Sequence, residues 1–373
     1  MRPMGTAKLF TRDSKRYASL YADPKGPGDD RPTSLQIIKD NDLVGKLADK
    51  TVLLTGGSNG LGIDEVRNLA RTGAKVFFTA RDFAKGQRVR DELLKELKSE
   101  SLPQEPQIEV IELDLDSVES IKRGAEEFMS KSDKLHILVN NAGQYFCLDL
   151  LVDNADSEIQ AIANSPFKLV AGYESQLWVN HLAHFYLFQL LKPLLLKSST
   201  PSFNSRVIAV ASLAHTMAPM QLGDYNYEER EYDEFVAYAR SKTANMWFAN
   251  ELERKYGSQG LHAISVHPGG IRTGLQRSHS EKAAAMIEYY LAMPHIQNSM
   301  MSVEQGSASI VLAAVGKEYE GVGGFYMENC GVSPATAEDA PLGSPGYKPW
   351  AYDKDGEQQL WRDSLEMLKL GED

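Results

Sequence analysis

Tyr238 and Lys242 stand four residues apart in the stretch Tyr238-Ala-Arg-Ser-Lys242. The surrounding pattern predicts a helix from about Phe235 to Tyr256, so the two side chains share one helical face. A tyrosine hydroxyl has a pKa near 10, too high to shuttle protons well at neutral pH. A neighbouring ammonium stabilises the phenolate. Lowering the pKa by about two to three units takes roughly 3–4 kcal/mol of differential interaction, which a partly dry pocket supplies. The pair could then give a proton to an oxygen of a bound molecule, or take one from it. Tyr-x-x-x-Lys arises often by chance, so its weight depends on what stands around it.

A second chemistry is written in Thr55-Gly-Gly-Ser-Asn-Gly-Leu-Gly62, between the apolar run that starts at Thr51 and an amphipathic stretch through Arg71. Gly56, Gly60 and Gly62 let the backbone turn sharply and approach a ligand. The helix start, with Ser58, Asn59 and Leu61 in the same turn, offers unpaired N–H groups and a positive dipole end to a pyrophosphate. An ordinary glycine-rich turn is the other reading. An acidic residue about 20 positions further on would bind a ribose 2′-hydroxyl and repel a 2′-phosphate; here the chain has Ala80-Arg81. A guanidinium offers a phosphate a fork of donors, so NADP(H) is expected over NAD(H), with a solvated helix-entry residue as the other role for Arg81. Asp114, followed by Leu115, ends the third apolar run, where its carboxylate could accept from an adenine amino group. Asn140-Asn141-Ala142-Gly143 ends the fourth and leaves room for the adenosine side of a dinucleotide.

These segments need a frame, and the hydrophobic pattern supplies one. Apolar runs at 51–55, 75–79, 108–113, 135–139, 206–211 and 261–266 alternate with helical stretches near 84–99, 118–130, 176–196, 235–256, 304–315 and 357–369. Phe325-Tyr-Met327 is suited to an edge strand. Runs this continuous are buried on both faces, as in a parallel sheet covered by helices. The alternation predicts a single doubly wound α/β domain of Rossmann type over residues 46–373. Residues 1–45 are polar and rich in Pro, Gly and Asp; they cannot bury much, and are expected to wrap the domain or stay mobile.

With the motifs placed, the chain resembles the short-chain dehydrogenase/reductase family, and within it the branch of retinol dehydrogenases and WW-domain oxidoreductases. The resemblance is carried, in order, by Thr55-Gly-x-x-x-Gly-x-Gly62, Asn140-Asn-Ala-Gly143, Val179-Asn-His-Leu-Ala-His-Phe185, Ala211-Ser-Leu-Ala-His215, Ala237-Tyr-Ala-Arg-Ser-Lys-Thr-Ala-Asn245 and Val266-His-Pro-Gly-Gly-Ile-Arg-Thr273. It covers the chain from about Lys46 to Leu370. It implies that Tyr238 exchanges a proton with a carbonyl or alcohol oxygen and that Lys242 depresses its pKa and holds the nicotinamide ribose. It further implies that Ser212 orients the carbonyl, that Asn180 holds a water in a relay through Lys242, and that Pro268, Gly269 and Thr273 line the nicotinamide end. The cofactor would carry the redox chemistry. The resemblance also implies a homodimer formed through helices flanking the sheet, unless the N-terminal arm covers that face.

Other readings compete at single positions. His181 and His184 at i and i+3 could begin a metal site, but no third ligand is evident and none is expected. Ser212 beside His215 could suggest a hydrolase, yet the Gly-x-Ser-x-Gly elbow is missing. Asn180 in mid-helix could be a packed polar residue. Compared with the retinol-dehydrogenase branch, the stretch 144–175 carries about 15 extra residues by the spacing of the flanking motifs. It is either a substrate-pocket element or a surface loop. Residues 274–303, rich in Met and Tyr, correspond to the family's variable substrate lid and suit an apolar pocket or a core-packing helix equally.

The bulk numbers bound the rest. The chain has 373 residues, 42% hydrophobic and 24% charged, with net charge −11, which excludes a general nucleic-acid or anionic-membrane binder. Only Cys147 and Cys330 occur, without any Asn-x-Ser/Thr site, so a reducing, cytoplasmic setting is expected. No apolar run reaches the length of a membrane span. The expected function is carbonyl–alcohol interconversion on a bulky, largely apolar small molecule with NADPH, in the direction of reduction. A non-redox epimerase, dehydratase or cyclase using Tyr238 as acid or base is the alternative, and a cofactor-sensing protein without turnover is a third.

Overall fold

A computed structural model describes residues 16–143, 167–271, 292–337, 339–341 and 343–371. The apolar runs form strands β1 (Thr51–Leu54), β2 (Lys75–Ala80), β3 (Gln107–Glu112), β4 (Ile137–Asn140), β7 (Ser205–Val210), β8 (Leu261–Val266) and β9 (Phe325–Glu328). A short hairpin, β5 (Leu169–Val170) and β6 (Tyr173–Glu174), stands apart from them. The main sheet runs β10-β9-β8-β7-β4-β1-β2-β3, parallel throughout except for β10 (Gly331–Val332), which returns antiparallel along β9. This is the Rossmann-like order expected from the alternation, in which the chain reverses direction across the sheet between β1 and β4.

Period-two alternation sorts each strand's side chains onto opposite faces. Val52, Leu54, Val76 and Phe78 join a cluster with Ile37, Ile38, Val66, Leu93 and Val311. Leu53 and Phe77 face the other way, into a cluster with Ile121, Phe188, Phe248 and Trp361. The first layer holds helices α1 (Ser34–Asp40), α2 (Gly60–Arg71), α3 (Phe83–Lys98) and α8 (Val303–Val315). The second holds α4 (Val118–Lys131), α5 (Ala183–Ser198), α6 (Glu234–Tyr256) and α9 (Lys354–Met367). Helix α7 (Pro294–Ser299) precedes α8.

One feature differs from expectation. The N-terminal stretch buries more than its composition suggests. Thr33 caps α1 by accepting from the Gln36 N–H at 3.2 Å, and Ile37 and Ile38 are fully buried between α2 and α8. Local polarity hides two adjacent isoleucines that find their partners only in the folded chain. On the opposite layer, α9 packs over α5 and α6. The Trp361 ring sits 4.9 Å from Phe185 and 6.0 Å from Phe248, and Glu357 pairs with Arg254. Residues 144–166 of the expected insertion and 274–291 of the expected lid, with Thr273 and Cys147, lie outside the described residues.

Candidate active site

Helix α6 starts where Asp233 accepts from the N–H groups of Phe235 and Val236 at 2.9 and 3.0 Å. From that start Tyr238 and Lys242 project one turn apart, 3% and 2% exposed. The Lys242 ammonium lies 5.5 Å from the centre of the Tyr238 ring and donates to the Val210 carbonyl at 3.1 Å. Asn245 donates to the same carbonyl at 3.0 Å. The end of β7 therefore locks the lysine, and Ser212 follows two residues later. Its Oγ accepts from the Ala214 N–H at 3.1 Å and starts the short 3-10 helix Leu213–Met217. His215 turns its Nδ1 to the Ser212 carbonyl at 2.7 Å, not to the hydroxyl, and burial lowers its pKa to about 4. That geometry does not activate Ser212 as a hydrolase nucleophile.

Asn180 sits in a widened, π-helical turn, Trp178–Leu182, which leads into α5. Such bulges redirect backbone groups that a regular helix would consume. The Asn180 amide nitrogen donates to Ser241 Oγ at 2.9 Å, and Ser241 Oγ donates to the Tyr238 carbonyl at 2.8 Å. The Asn180 carbonyl faces His184 Nδ1 at 3.2 Å. The other ring nitrogen of His184 meets Thr55 Oγ1 at 2.9 Å. Thr55 Oγ1 already accepts from the N–H groups of Asn141 (3.0 Å) and Ala142 (2.9 Å). The backbone carbonyl of Asn180 can only accept, so a neutral His184 ring donates from Nδ1 to it and leaves Nε2 to accept from Thr55 Oγ1, whose proton also has the Val139 carbonyl within 3.4 Å. Burial lowers the His184 pKa to about 4, which keeps the ring neutral. His181 is spent elsewhere, 2.9 Å from Ser364 Oγ on α9. The histidines read as a potential metal pair are a wedge and a tether.

The glycine turn has the shape of a cradle. Gly56 has φ +75°, and a Cβ there would lie 2.9 Å from the Ala142 Cβ. A Cβ on Gly62 would lie 2.3 Å from the Gly56 carbonyl oxygen. Thr79 ties the turn to β2, its Oγ1 accepting from the Gly56 N–H at 3.2 Å and its carbonyl from Gly57 at 3.1 Å. Asn59 precedes α2 without capping it, so no side chain of the N-cap residue takes up the first N–H groups of the helix, the arrangement an anion site uses. Ser58 is half-buried and Asn59 exposed at this rim. These residues fit a dinucleotide pyrophosphate.

At the next strand ends, Arg81 is exposed at the close of β2, while Asp82 beside it caps α3 by accepting from the Lys85 N–H at 2.9 Å. Asp114 holds its own turn, Oδ1 accepting from the Asp116 N–H at 3.1 Å. The Leu115 carbonyl accepts from Trp178 Nε1 at 2.7 Å. Asn141 donates to the Thr55 carbonyl at 3.0 Å. Gly143 brings the two ends of the cleft together: a Cβ there would lie 2.9 Å from Asn180 Oδ1 and 3.5 Å from Lys242 Nζ. Pro268 and Gly269 follow β8, Gly269 with φ +101°.

Sequence reasoning missed Thr79 and the tether through His184 and Ser241. The spacing of His184, four residues after Asn180, is the one signal that could have pointed to it.

This order of strand ends and motifs agrees with the short chain dehydrogenase family profile, which matches residues 50–284. The chain belongs to the short-chain dehydrogenase/reductase family. Short-chain dehydrogenase/reductase prx1 of Penicillium rubens is 42% identical over 358 residues, spanning 96% of each chain. Oxidoreductase calI of Penicillium decumbens is 40% identical, across 95% of this chain and 98% of its own. Retinol dehydrogenase 12 of Mus musculus is 32% identical across 75% of this chain and 78% of its own. A crystal structure of a Mycobacterium paratuberculosis protein superposes with a TM-score of 0.58 at 28% identity, covering 91% of this chain and 96% of the other. Among the described residues no helix of this family member is long and apolar enough to cross a membrane.

Proposed function

We propose that this dehydrogenase/reductase uses NADP(H) to interconvert a carbonyl and an alcohol on a bulky, largely apolar small molecule, chiefly by reduction. One observation carries the reading: Asn180, Lys242 and the Asn141–Gly143 strand end converge at Gly143, beside the helix that presents Tyr238. When bound, the dinucleotide supplies the hydride. Gly56, Ser58, Asn59, Gly60, Leu61 and Gly62 hold its pyrophosphate. Asp114, Leu115, Asn141, Ala142 and Gly143 flank the adenosine side, and Pro268, Gly269 and Thr273 the nicotinamide side. Tyr238 Oη gives its proton to the carbonyl oxygen that Ser212 orients. Lys242 stabilises the phenolate left behind, and Asn180 positions the path by which the proton is replaced.

The choice of NADP(H) over NAD(H) is supported by the pair at the end of β2. Asp82 turns its carboxylate to the start of α3, and Arg81 beside it is exposed, which suits a guanidinium that would bind a ribose 2′-phosphate. A reducing, cytoplasmic setting belongs to the same reading. Incubation with NADPH and a panel of ketones, aldehydes and quinones tests it. NADPH consumption with stoichiometric alcohol is expected. Product formed without consumption would favour an epimerase, dehydratase or cyclase on the same scaffold. Tyr238→Phe should abolish turnover while NADPH binding, followed by nicotinamide fluorescence, stays within about twofold of wild type. A retained rate removes Tyr238 from the mechanism.

A further inference from the structure

The N-terminal arm is tied to the Asn298–Met300 segment by a buried guanidinium. Arg31 is 3% exposed. It donates to the backbone carbonyls of Gly26 (3.0 Å), Asn298 (3.4 Å), Ser299 (2.7 Å) and Met300 (2.6 Å), and through Nε to Asp29 Oδ1 (2.8 Å). Three of those carbonyls belong to the end of α7 and the residue after it, where a helix leaves its acceptors unpaired. Gln305, 1% exposed, makes a second tie. Its Oε1 accepts from the N–H groups of Gly28 and Ser302, both at 2.9 Å. Its Nε2 donates to the Asp29 carbonyl at 3.0 Å and the Arg31 carbonyl at 3.3 Å. The start of α8 and the arm thus share one amide side chain.

What these ties hold is the Met300–Met301 pair, and that pair is the floor of the turn after β8. The Met301 N–H donates to the Gly270 carbonyl at 2.7 Å, and Met301 pairs in parallel with Ile271. A Cβ on Gly269 would lie 2.8 Å from Met301 Sδ, and one on Gly270 would lie 2.9 Å from Met300 Sδ. The backbone of the turn therefore rests on two thioethers with no slack. Thioether side chains are adaptable fillers that do not by themselves hold a position. The rigidity has to come from behind them, and Arg31 is the group behind them. Its planar fork of five N–H donors matches this spread of carbonyls, whereas a lysine ammonium carries three donors on one atom.

We propose that Arg31 is a positioning residue for the nicotinamide end of the cofactor cleft, acting through Met300 and Met301 on the Pro268–Ile271 turn; the inference rests on the dinucleotide reading given above. An arm that only stabilised the chain would weaken all ligands alike or none.

The test uses the full chain as wild type, Arg31→Lys and Arg31→Met. Affinities are measured for NADPH and for adenosine 2′,5′-bisphosphate, the part of the dinucleotide remote from the turn. Hydrogen exchange is followed at the Met301 amide. Both variants should bind NADPH about tenfold more weakly while their bisphosphate affinity stays within about twofold. The Met301 amide should exchange at least about tenfold faster, with the β1 and β2 amides unchanged. If Arg31→Met does not fold, Arg31→Lys, which keeps the charge and part of the bonding, carries the test. Equal losses for both ligands, or unchanged NADPH affinity together with unchanged Met301 protection, overturn the inference alone. Wild-type protein that binds neither compound overturns the dinucleotide reading, and this inference with it.

Discussion

Gly143→Ala is the smallest change that should disable the site. The new methyl carbon would lie 2.9 Å from Asn180 Oδ1 and 3.5 Å from Lys242 Nζ. The first distance is about half an ångström inside ordinary carbon–oxygen contact, so something must move. Asn180 has no exposed surface, and its amide is pinned to Ser241 at 2.9 Å from within a π-helical turn. Shifting it breaks that bond inside the protein, at about 1–3 kcal/mol for the group left unsatisfied. It also displaces the residue assigned to the proton path, and a misplacement of about 1 Å costs on the order of a hundredfold in rate. We expect kcat/KM to fall about 10- to 100-fold, with a urea midpoint lowered by the equivalent of about 1–3 kcal/mol. The assay is steady-state reduction of the best carbonyl from the panel, with urea unfolding in parallel. A variant with kcat within twofold of wild type and the same midpoint would refute the claim that Asn180 and Lys242 act at Gly143.

The remaining predictions address cofactor choice and stability. Arg81→Asp should shift preference from NADPH toward NADH by about tenfold or more, read as the ratio of the two kcat/KM values; an unchanged ratio removes Arg81 from the site. Glu65 is fully buried, neither carboxyl oxygen finds a partner among the described residues, and burial holds its pKa well above the usual range. The folded chain therefore keeps a proton that the unfolded chain releases. The contribution of Glu65 to stability should fall as pH rises from about 4.3 toward the folded value, by up to about 1.4 kcal/mol per pH unit. Glu65→Met removes that slope, so its advantage in urea midpoint should widen with pH; parallel curves for the two proteins would sink the idea. Trp361→Ala should cost about 3–5 kcal/mol by emptying the aromatic cluster under α9, while kcat measured well below the melting temperature stays near wild type. A stability loss below about 1 kcal/mol would show that α9 adds little to that core.

The parallel sheet was legible because strands buried on both faces read as unbroken apolar runs. The motifs at their ends were legible because chemistry constrains residue type more tightly than packing does. Asn180 was legible only as a member of a series; nothing local marks the π-helical turn that carries it. Most helix ends came within one to three residues, as at α6, which begins at Glu234 rather than Phe235 because Asp233 caps it, whereas the stretch expected as one helix from 176 opens with Ser175–Leu177 and the π-helical turn before α5 begins at Ala183. The described part of the N-terminal arm packs against the domain, one of the two outcomes expected of it, but its polar composition understated burial: Ile37, Ile38 and Arg31 are buried in the fold.

Sequence alone determined which strand–turn–helix junctions could face a dinucleotide, and which tyrosine and lysine share a helical turn, since both follow from spacing along one chain. Tertiary structure decided how those pieces are held. Lys242 is anchored by a carbonyl 32 residues away, Asn180 by Ser241 on another helix, and the Met300 carbonyl by an arginine from the far end of the chain. Such contacts join groups with no regular separation in sequence. A buried donor seeks whichever acceptor the fold brings near, and only the folded backbone specifies which one that is.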